Sequence, residues 1–366
     1  MNPLSLYELH HTLGAQFSEL NGAQLVRDYG RPAAEYSALH EHAGVMDLSF
    51  RSRLCLVGAD RARYLHGQVT NDIKKLRPGE GCYSAVTTSK GKMESDLNIF
   101  CLPDELLLDF EPGLTSKISA RLEKFIVADD VQIVDVAPHY GLLNVQGPKA
   151  GAVVRAIDLF TELPAQPFAS LKISDGMLGE IYLANHSRLD LTRAQGFDLF
   201  VPTASLGAVA DKLIAAAKSV GGGAVGWTAW ETVRIEAGIP RFGADMDETN
   251  IPLECGIESR AIVYNKGCYI GQEVINRIHS IGHVNRELRG LRLADDLPSL
   301  PARGDRLFHD GKEIGLVTSA AKSPEFGNIA LGYVRREANQ PGTELTLSTT
   351  AGKSAANIVA LPFVKP

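Results

Sequence analysis

The chain has 366 residues, 45% of them hydrophobic and 22% charged, the proportions of an ordinary globular protein and a length that suits two or three domains. Lys and Arg number 37 against 43 for Asp and Glu, a formal charge of -6, so no chain-wide attraction to phosphate backbones or anionic membranes is expected. No run approaches the roughly 18 apolar residues of a membrane span. Met1 to Gly14 holds Glu8, His10 and His11 where a signal peptide needs an apolar core, so a cytoplasmic location and no membrane partner are expected.

Leu6, Leu9, Leu13 and Phe17 fall at helical spacing, which predicts an opening helix over Leu6 to Phe17. Arg53 to Gly58 reads as a buried strand, followed by a short helix through Tyr64 and Leu65 that ends near Asn71. Cys82 to Thr88 and Glu94 to Leu102 are strand-like runs joined by the polar turn Ser89-Lys90-Gly91-Lys92, a β-hairpin. Its second strand puts Leu97 and Ile99 on one face and Asp96 and Asn98 on the other. A helix is predicted over Thr115 to Val127, with strands at Val131 to Val136, Leu142 to Val145 and Phe197 to Val201. Further helices are predicted over Ala204 to Ala217 and Thr228 to Ala237. Without regular βαβ alternation, the fold class expected is α+β with antiparallel sheets. Beyond about Arg286, six short strand candidates separated by turn residues suggest a small closed or sandwich-like β domain. The boundary is set between residues 284 and 285, giving domains 1–284 and 285–366.

Gly221, Gly223 and Gly226 satisfy GxGxxG, but a helix precedes them where the dinucleotide motif needs a strand, so a helix-to-helix turn is expected. No P-loop or HExxH occurs, and the pairs His40 with His42 and His279 with His283 are expected to be surface or packing histidines rather than metal ligands. Cys55, Cys82, Cys101, Cys255 and Cys268 are scattered without CxxC spacing. The most informative run is Tyr264-Asn265-Lys266-Gly267-Cys268-Tyr269-Ile270-Gly271-Gln272-Glu273. Two glycines flank a thiol and an aromatic ring, and Lys266 stands two residues before the thiol, where an ammonium favours the nucleophilic thiolate. A small buried cysteine is the competing reading. Asp96 and Asp198, each on a predicted strand, point either to solvent or into a cleft; facing one cleft together, they would suit a ligand with ring nitrogens and an amino group.

The runs Ala43 to Ser49, Leu65 to Asp72, Gln146 to Ala150, Arg234 to Gly238 and Ile329 to Val334 resemble the glycine-cleavage T-protein superfamily of tetrahydrofolate-binding proteins, along nearly the whole chain. Within it, Lys-Gly-Cys-Tyr-x-Gly-Gln-Glu at Lys266 to Glu273 resembles the signature of the YgfZ-type branch. The resemblance implies two α+β subdomains forming a ring with a central folate-binding hole, then a C-terminal β-barrel. It implies that Asp96 matches the aspartate near the pterin, which assists the reacting folate nitrogen. Three departures stand out: Phe50-Arg51 where T-proteins have His-Met, Asp198 where they have Glu in the stretch matching Leu191 to Asp198, and Ala229-Trp230-Glu231 where they have Ala-Arg-Asp. These shift the expectation away from lipoyl-aminomethyl transfer.

The function expected on this resemblance is binding of tetrahydrofolate or a derivative in support of iron-sulfur cluster assembly or repair, with an indirect effect on tRNA modification. Cys268, Lys266 and Asp96 would carry the chemistry, and Asp96, Asp198, Tyr269, Gln272 and Glu273 would contact the folate. Partners would be the folate and iron-sulfur enzymes or their assembly proteins. One cysteine cannot supply the four ligands usual for a cluster, so no metal site is assigned. Direct nucleic-acid binding is not expected, a patch around Arg277, Arg286 and Arg289 being its one possible place. The alternative is an aminomethyltransferase moving a one-carbon unit to tetrahydrofolate.

Overall fold

The structure is a computed structural model and describes residues 3–189 and 196–363. The chain forms two compact units. The first comprises Met1–Gln68, Asp72–Ser84 and Leu97–Trp230; the second comprises Val69–Asn71, Ala85–Asp96 and Glu231–Pro366.

In the first unit a six-stranded sheet runs in the order Ser170–Asp175, Gly179–Asn185, Gly196–Pro202, Tyr140–Gln146, Gly44–Asp47, Gly223–Ala224. All its pairings are antiparallel except the last, in which Gly223 and Ala224 pair in parallel with Gly44 and Val45. The glycine run is thus a helix-to-strand connection after the helix Leu206–Ser219, not a phosphate loop. That helix and Ala150–Ala156 cover the sheet through Val153, Val154, Val209 and Leu213, which close with Leu143, Val145, Leu183 and Leu199 into one buried core. Each side chain of this kind contributes about 1.5–3 kcal/mol on burial. A second sheet has the order Gly81–Thr87, Met93–Cys101, Leu106–Phe110, Ser52–Val57, Gln132–Asp135. Its first two strands are the predicted hairpin, and both run on into the second unit.

The second unit is dominated by a closed six-stranded barrel, Arg286–Leu293, Gly327–Arg335, Lys312–Ser323, Arg306–His309, Glu344–Thr349 and Gly352–Val359 in spatial order. Alternate residues such as Leu345 and Leu347 fill the interior with Leu291, Leu307, Val317 and Ile358. Closure leaves no free strand edge, which is how so small a sheet stands without flanking helices. Beside it, Arg234 is clamped by Glu231 at 2.9 and 2.7 Å and donates to Asp245 at 2.6 Å and Ser319 at 2.8 Å. Thr318 in turn donates to Asp245 at 2.6 Å, so the barrel wall is tied to the helix Trp227–Glu236 through a buried charge network.

The expected mixed α+β fold with a C-terminal barrel is the one observed. The opening helix is shorter than its apolar spacing predicts, ending at Thr12, because Gly14 takes φ +83°; Phe17 then lies in the strand Gln16–Leu20. The helix predicted to reach Val127 stops at Glu123, leaving Phe125 exposed against Arg121. The matching stretch Leu191 to Gln195 lies outside the described residues. Among the described residues no helix is long and apolar enough to cross a membrane.

Candidate functional site

Of the residues singled out from the sequence, Asp96, Lys266, Cys268, Tyr269, Gln272 and Glu273 fall in the second unit and Asp198 in the first. The thiol turn is built from the short helix Glu258–Ala261, the loop after it, and the helix Gln272–Ile281. Cys268 is exposed, the open alternative of the two the sequence allowed. Gln272 and Glu273 form the first turn of the helix behind it, Gln272 half-buried and Glu273 exposed.

Two contacts fix this turn. Gly271 has φ +91°, and a Cβ there would lie 2.5 Å from Thr87 Oγ1 and 2.7 Å from the Thr88 carbonyl, so only glycine lets the turn press against the hairpin. Thr87 also donates to the Ile270 carbonyl at 2.7 Å. Lys266 differs from its expected role as the cation beside the thiol. It is 7% exposed, and its ammonium donates to the carbonyls of Val69 and Asn71, both at 2.6 Å, while lying 4.9 Å from the Tyr269 ring centroid. Its chemistry is that of a tether, holding Val69–Asn71 to the turn.

Tyr269 is buried, and burial pushes its phenol up to about 12. Its hydroxyl has no hydrogen-bond partner among the described residues, and neither has the buried Oδ1 of Asn276, seven residues on in the helix. Buried polar atoms are rarely left unpaired without a reason, so this segment retains capacity for a polar ligand. Tyr264 and His279 stack at 3.7 Å and share one Glu258 oxygen, at 2.6 and 2.8 Å, bracing the loop from the other end.

Asp96 is half-buried. Nearby, Tyr333 donates to the buried Cys255 sulfur at 3.1 Å. Burial drives the Cys255 thiol up to about 12 against that hydrogen bond, with the charges of Glu254, Arg286 and Asp96 acting on it more weakly. Cys255 is therefore an inert packing thiol.

Asp198 is fully buried inside the first unit. It accepts from Arg188 at 2.7 to 3.1 Å, from His186 Nδ1 at 2.7 Å and from Asn144 at 2.7 Å. Arg188 bridges onward to Asp109 at 2.8 Å, which also accepts from Asn98 at 2.9 Å and from Arg51 at 2.8 Å; Arg51 reaches Glu111 at 2.6 Å. Burial alone would raise the Asp198 carboxyl, but Arg188 and then His186 outweigh it and hold it at about 2. Burial and then the Arg188 charge push His186 below its usual value, against the pull of Asp198. The carboxylate is committed to its own fold and has no oxygen face left for a folate. None of Arg51, Asp109, Arg188 or His186 was identified from the sequence as a site residue, since Arg188 lies 79 residues from Asp109 and no local pattern links them. Among the described residues no three His, Cys, Asp or Glu side chains gather to hold a metal ion.

A mixed α/β body followed in the chain by a closed six-stranded barrel defines the class. Residues 6–266 match the GCVT N-terminal domain and residues 286–365 the glycine cleavage T-protein C-terminal barrel domain, so the chain belongs to the GCVT family. It is 29% identical over 362 residues to an aminomethyltransferase of Halalkalibacterium halodurans, covering 98% of this chain and 97% of that one. It is 27% identical over 361 residues, with the same coverage, to an aminomethyltransferase of Shouchella clausii. The crystal structure of the glycine cleavage system aminomethyltransferase T from Bartonella henselae superposes with a TM-score of 0.86 at 25% identity, covering 99% of this chain and 98% of that one. The superfamily expected from the motifs is the one found.

Proposed function

We propose that this protein binds tetrahydrofolate or a derivative and acts on a one-carbon unit or thiol chemistry coupled to it. The observation that carries the reading is the match of both parts of the chain, end to end, to aminomethyltransferases. The unpartnered Tyr269 hydroxyl and Asn276 carbonyl oxygen fit a ligand rich in ring nitrogens and amino groups. Asp96 would stand at the pterin end and strengthen the reacting folate nitrogen electrostatically; Tyr269, Gln272 and Glu273 would orient the ligand, with Lys266 holding the turn that presents them. The relatives favour aminomethyl transfer as the activity. Calorimetric titration with tetrahydrofolate tests binding: Asp96→Asn is expected to weaken it about tenfold, a loss of about 1.4 kcal/mol. Undiminished affinity would remove Asp96 from the site. Turnover in a reconstituted glycine-cleavage assay would establish the transferase.

One observation favours a second reading. Cys268 is exposed on a turn whose sequence, Lys266 to Glu273, resembles the YgfZ-type signature. On that reading the protein supports iron-sulfur cluster assembly or repair, with Cys268 as the reacting thiol and iron-sulfur enzymes or their assembly proteins as partners. Cys268→Ser would then fail to restore an iron-sulfur enzyme in cells lacking the protein, while full rescue would discard the thiol role.

A further inference from the structure

The barrel carries an arrangement that neither reading uses. Arg286 and Arg335 are direct partners in the antiparallel ladder between Arg286–Leu293 and Gly327–Arg335. Residues so paired stand on one face with Cβ atoms about 5 Å apart, where like charges destabilise the sheet. Arg336 follows at once, its backbone N–H held by the Asn285 carbonyl at 3.0 Å. These three arginines, His283, Glu254 and Glu337 line a cleft of about 750 Å³, a size usual for small-molecule sites.

The acids beside these cations match them only in part. Glu337 is bonded to Lys312 at 3.0 Å. Glu254 accepts from the Ile251 N–H at 3.3 Å and meets Arg286 only at 3.4 Å. Arg335 and Arg336 are exposed, and Arg335 acts on Glu337 only through space and more weakly than Lys312 does. Arg286 is pre-positioned, its guanidinium 4.9 Å over the Tyr333 ring and donating to the Thr249 carbonyl at 3.2 Å. Each guanidinium that lines the cleft presents a planar fork of N–H donors able to grip an oxyanion two oxygens at a time. In a chain of net charge -6 this concentration of partly matched positive charge is local.

We propose that the cleft bounded by Arg286, Arg335, Arg336 and His283 is a binding site for a multiply charged oxyanion, which relieves the repulsion between Arg286 and Arg335. Two sources offer this chemistry, the carboxylates of a glutamate-extended folate tail and a phosphate group. The first source alone rests on the folate reading above.

The test titrates the full-length protein at low salt with pyrophosphate, with monoglutamyl tetrahydrofolate and with triglutamyl tetrahydrofolate, comparing wild type with R335Q/R336Q. Both side chains are exposed, so the variant is expected to fold; an unchanged thermal midpoint without ligand checks this. Triglutamyl binding at least tenfold tighter than monoglutamyl in wild type, and equal to it in the variant, supports the site with a carboxylate ligand. Pyrophosphate binding that weakens at least tenfold in the variant, with no effect of tail length, supports it with a phosphate ligand. In either case the ligand raises the wild-type thermal midpoint more than the variant's. If the double substitution changes none of the three affinities, or wild type shows neither pyrophosphate binding nor a tail-length effect, the site is overturned. Failure of monoglutamyl tetrahydrofolate to bind defeats the folate reading, and the pyrophosphate titration then decides the cleft by itself.

Discussion

Two of the residues that depart from the T-protein pattern, Arg51 and Asp198, belong to one buried charge network with Arg188 and Asp109 between them. Arg188 bridges Asp198 and Asp109, and Arg51 bridges Asp109 and Glu111. Removing one member strands a charge in the interior, which costs about 3 to 5 kcal/mol. Asp198→Asn should therefore lower stability by that amount in urea unfolding, and an effect below 1 kcal/mol would mean water reaches the network. The same groups set an acid limit. Asp198 titrates at about 2 in the fold against 3.8 unfolded, so the stability it confers is present above 3.8 and is lost as pH falls toward 2. His186 is held neutral below its ordinary 6.5, so the unfolded chain takes up its proton first and stability begins to decline as pH falls through 6.5. His186→Gln should flatten the unfolding midpoint between those two ranges while leaving the steeper acid loss. The departures were visible in the sequence, but their union was not, because it depends on strands far apart in the chain meeting. Cys268 was more legible: neighbouring glycines and polar residues argued for exposure, and it is the one exposed cysteine of the five. Alkylation of the native protein should modify Cys268 first, with the uptake lost in Cys268→Ser; equal labelling of the half-buried Cys82 would contradict that order.

At the scale of elements, the motif Lys266 to Glu273 is as much architecture as chemistry. Its second glycine gives the helix Gln272–Ile281 a left-handed start against Thr87 and Thr88, and its lysine satisfies two carbonyls of Val69–Asn71. Gly271→Ala combines an αL penalty with a backbone clash and should destabilise by about 2 kcal/mol or more, read as a shift in urea midpoint. Lys266→Met removes the charged donor from both carbonyls and should cost about 2 to 3 kcal/mol, with proteolysis of the Val69–Asn71 segment rising in parallel. Wild-type stability in Lys266→Met would show the tether to be dispensable. Strands of the barrel were readable because inward and outward residues alternate, as at Leu345 and Leu347. The helix Gln272–Ile281 was not identified, although Val274, Ile275 and Ile278 repeat at helical spacing. Apolar spacing overran the first helix because Gly14 ends it by conformation rather than by polarity.

On the scale of the whole molecule, the second unit is assembled from three separate lengths of chain, and its barrel shares a charge network and the Cys255 to Tyr333 contact with residues 231–284. A chain ending at residue 284 would leave Asp245 without Thr318 and Cys255 without Tyr333. It should lose the cooperative thermal transition seen by circular dichroism in the full protein, and a sharp, unchanged transition would show that residues 231–284 do not need the barrel. Periodicity alone finds the barrel as a segment; that Val69–Asn71 and Ala85–Asp96 share its unit is long-range information carried by single contacts such as Lys266 to Val69. The interleaving also bears on how the protein is made. Those two segments leave the ribosome well over a hundred residues before Glu231 does, so a nascent chain carries them through that interval without the rest of their unit. Slow translation or a stalled ribosome anywhere before the barrel therefore exposes the hairpin's apolar strands for longest, and a holding chaperone is of most use at that stage.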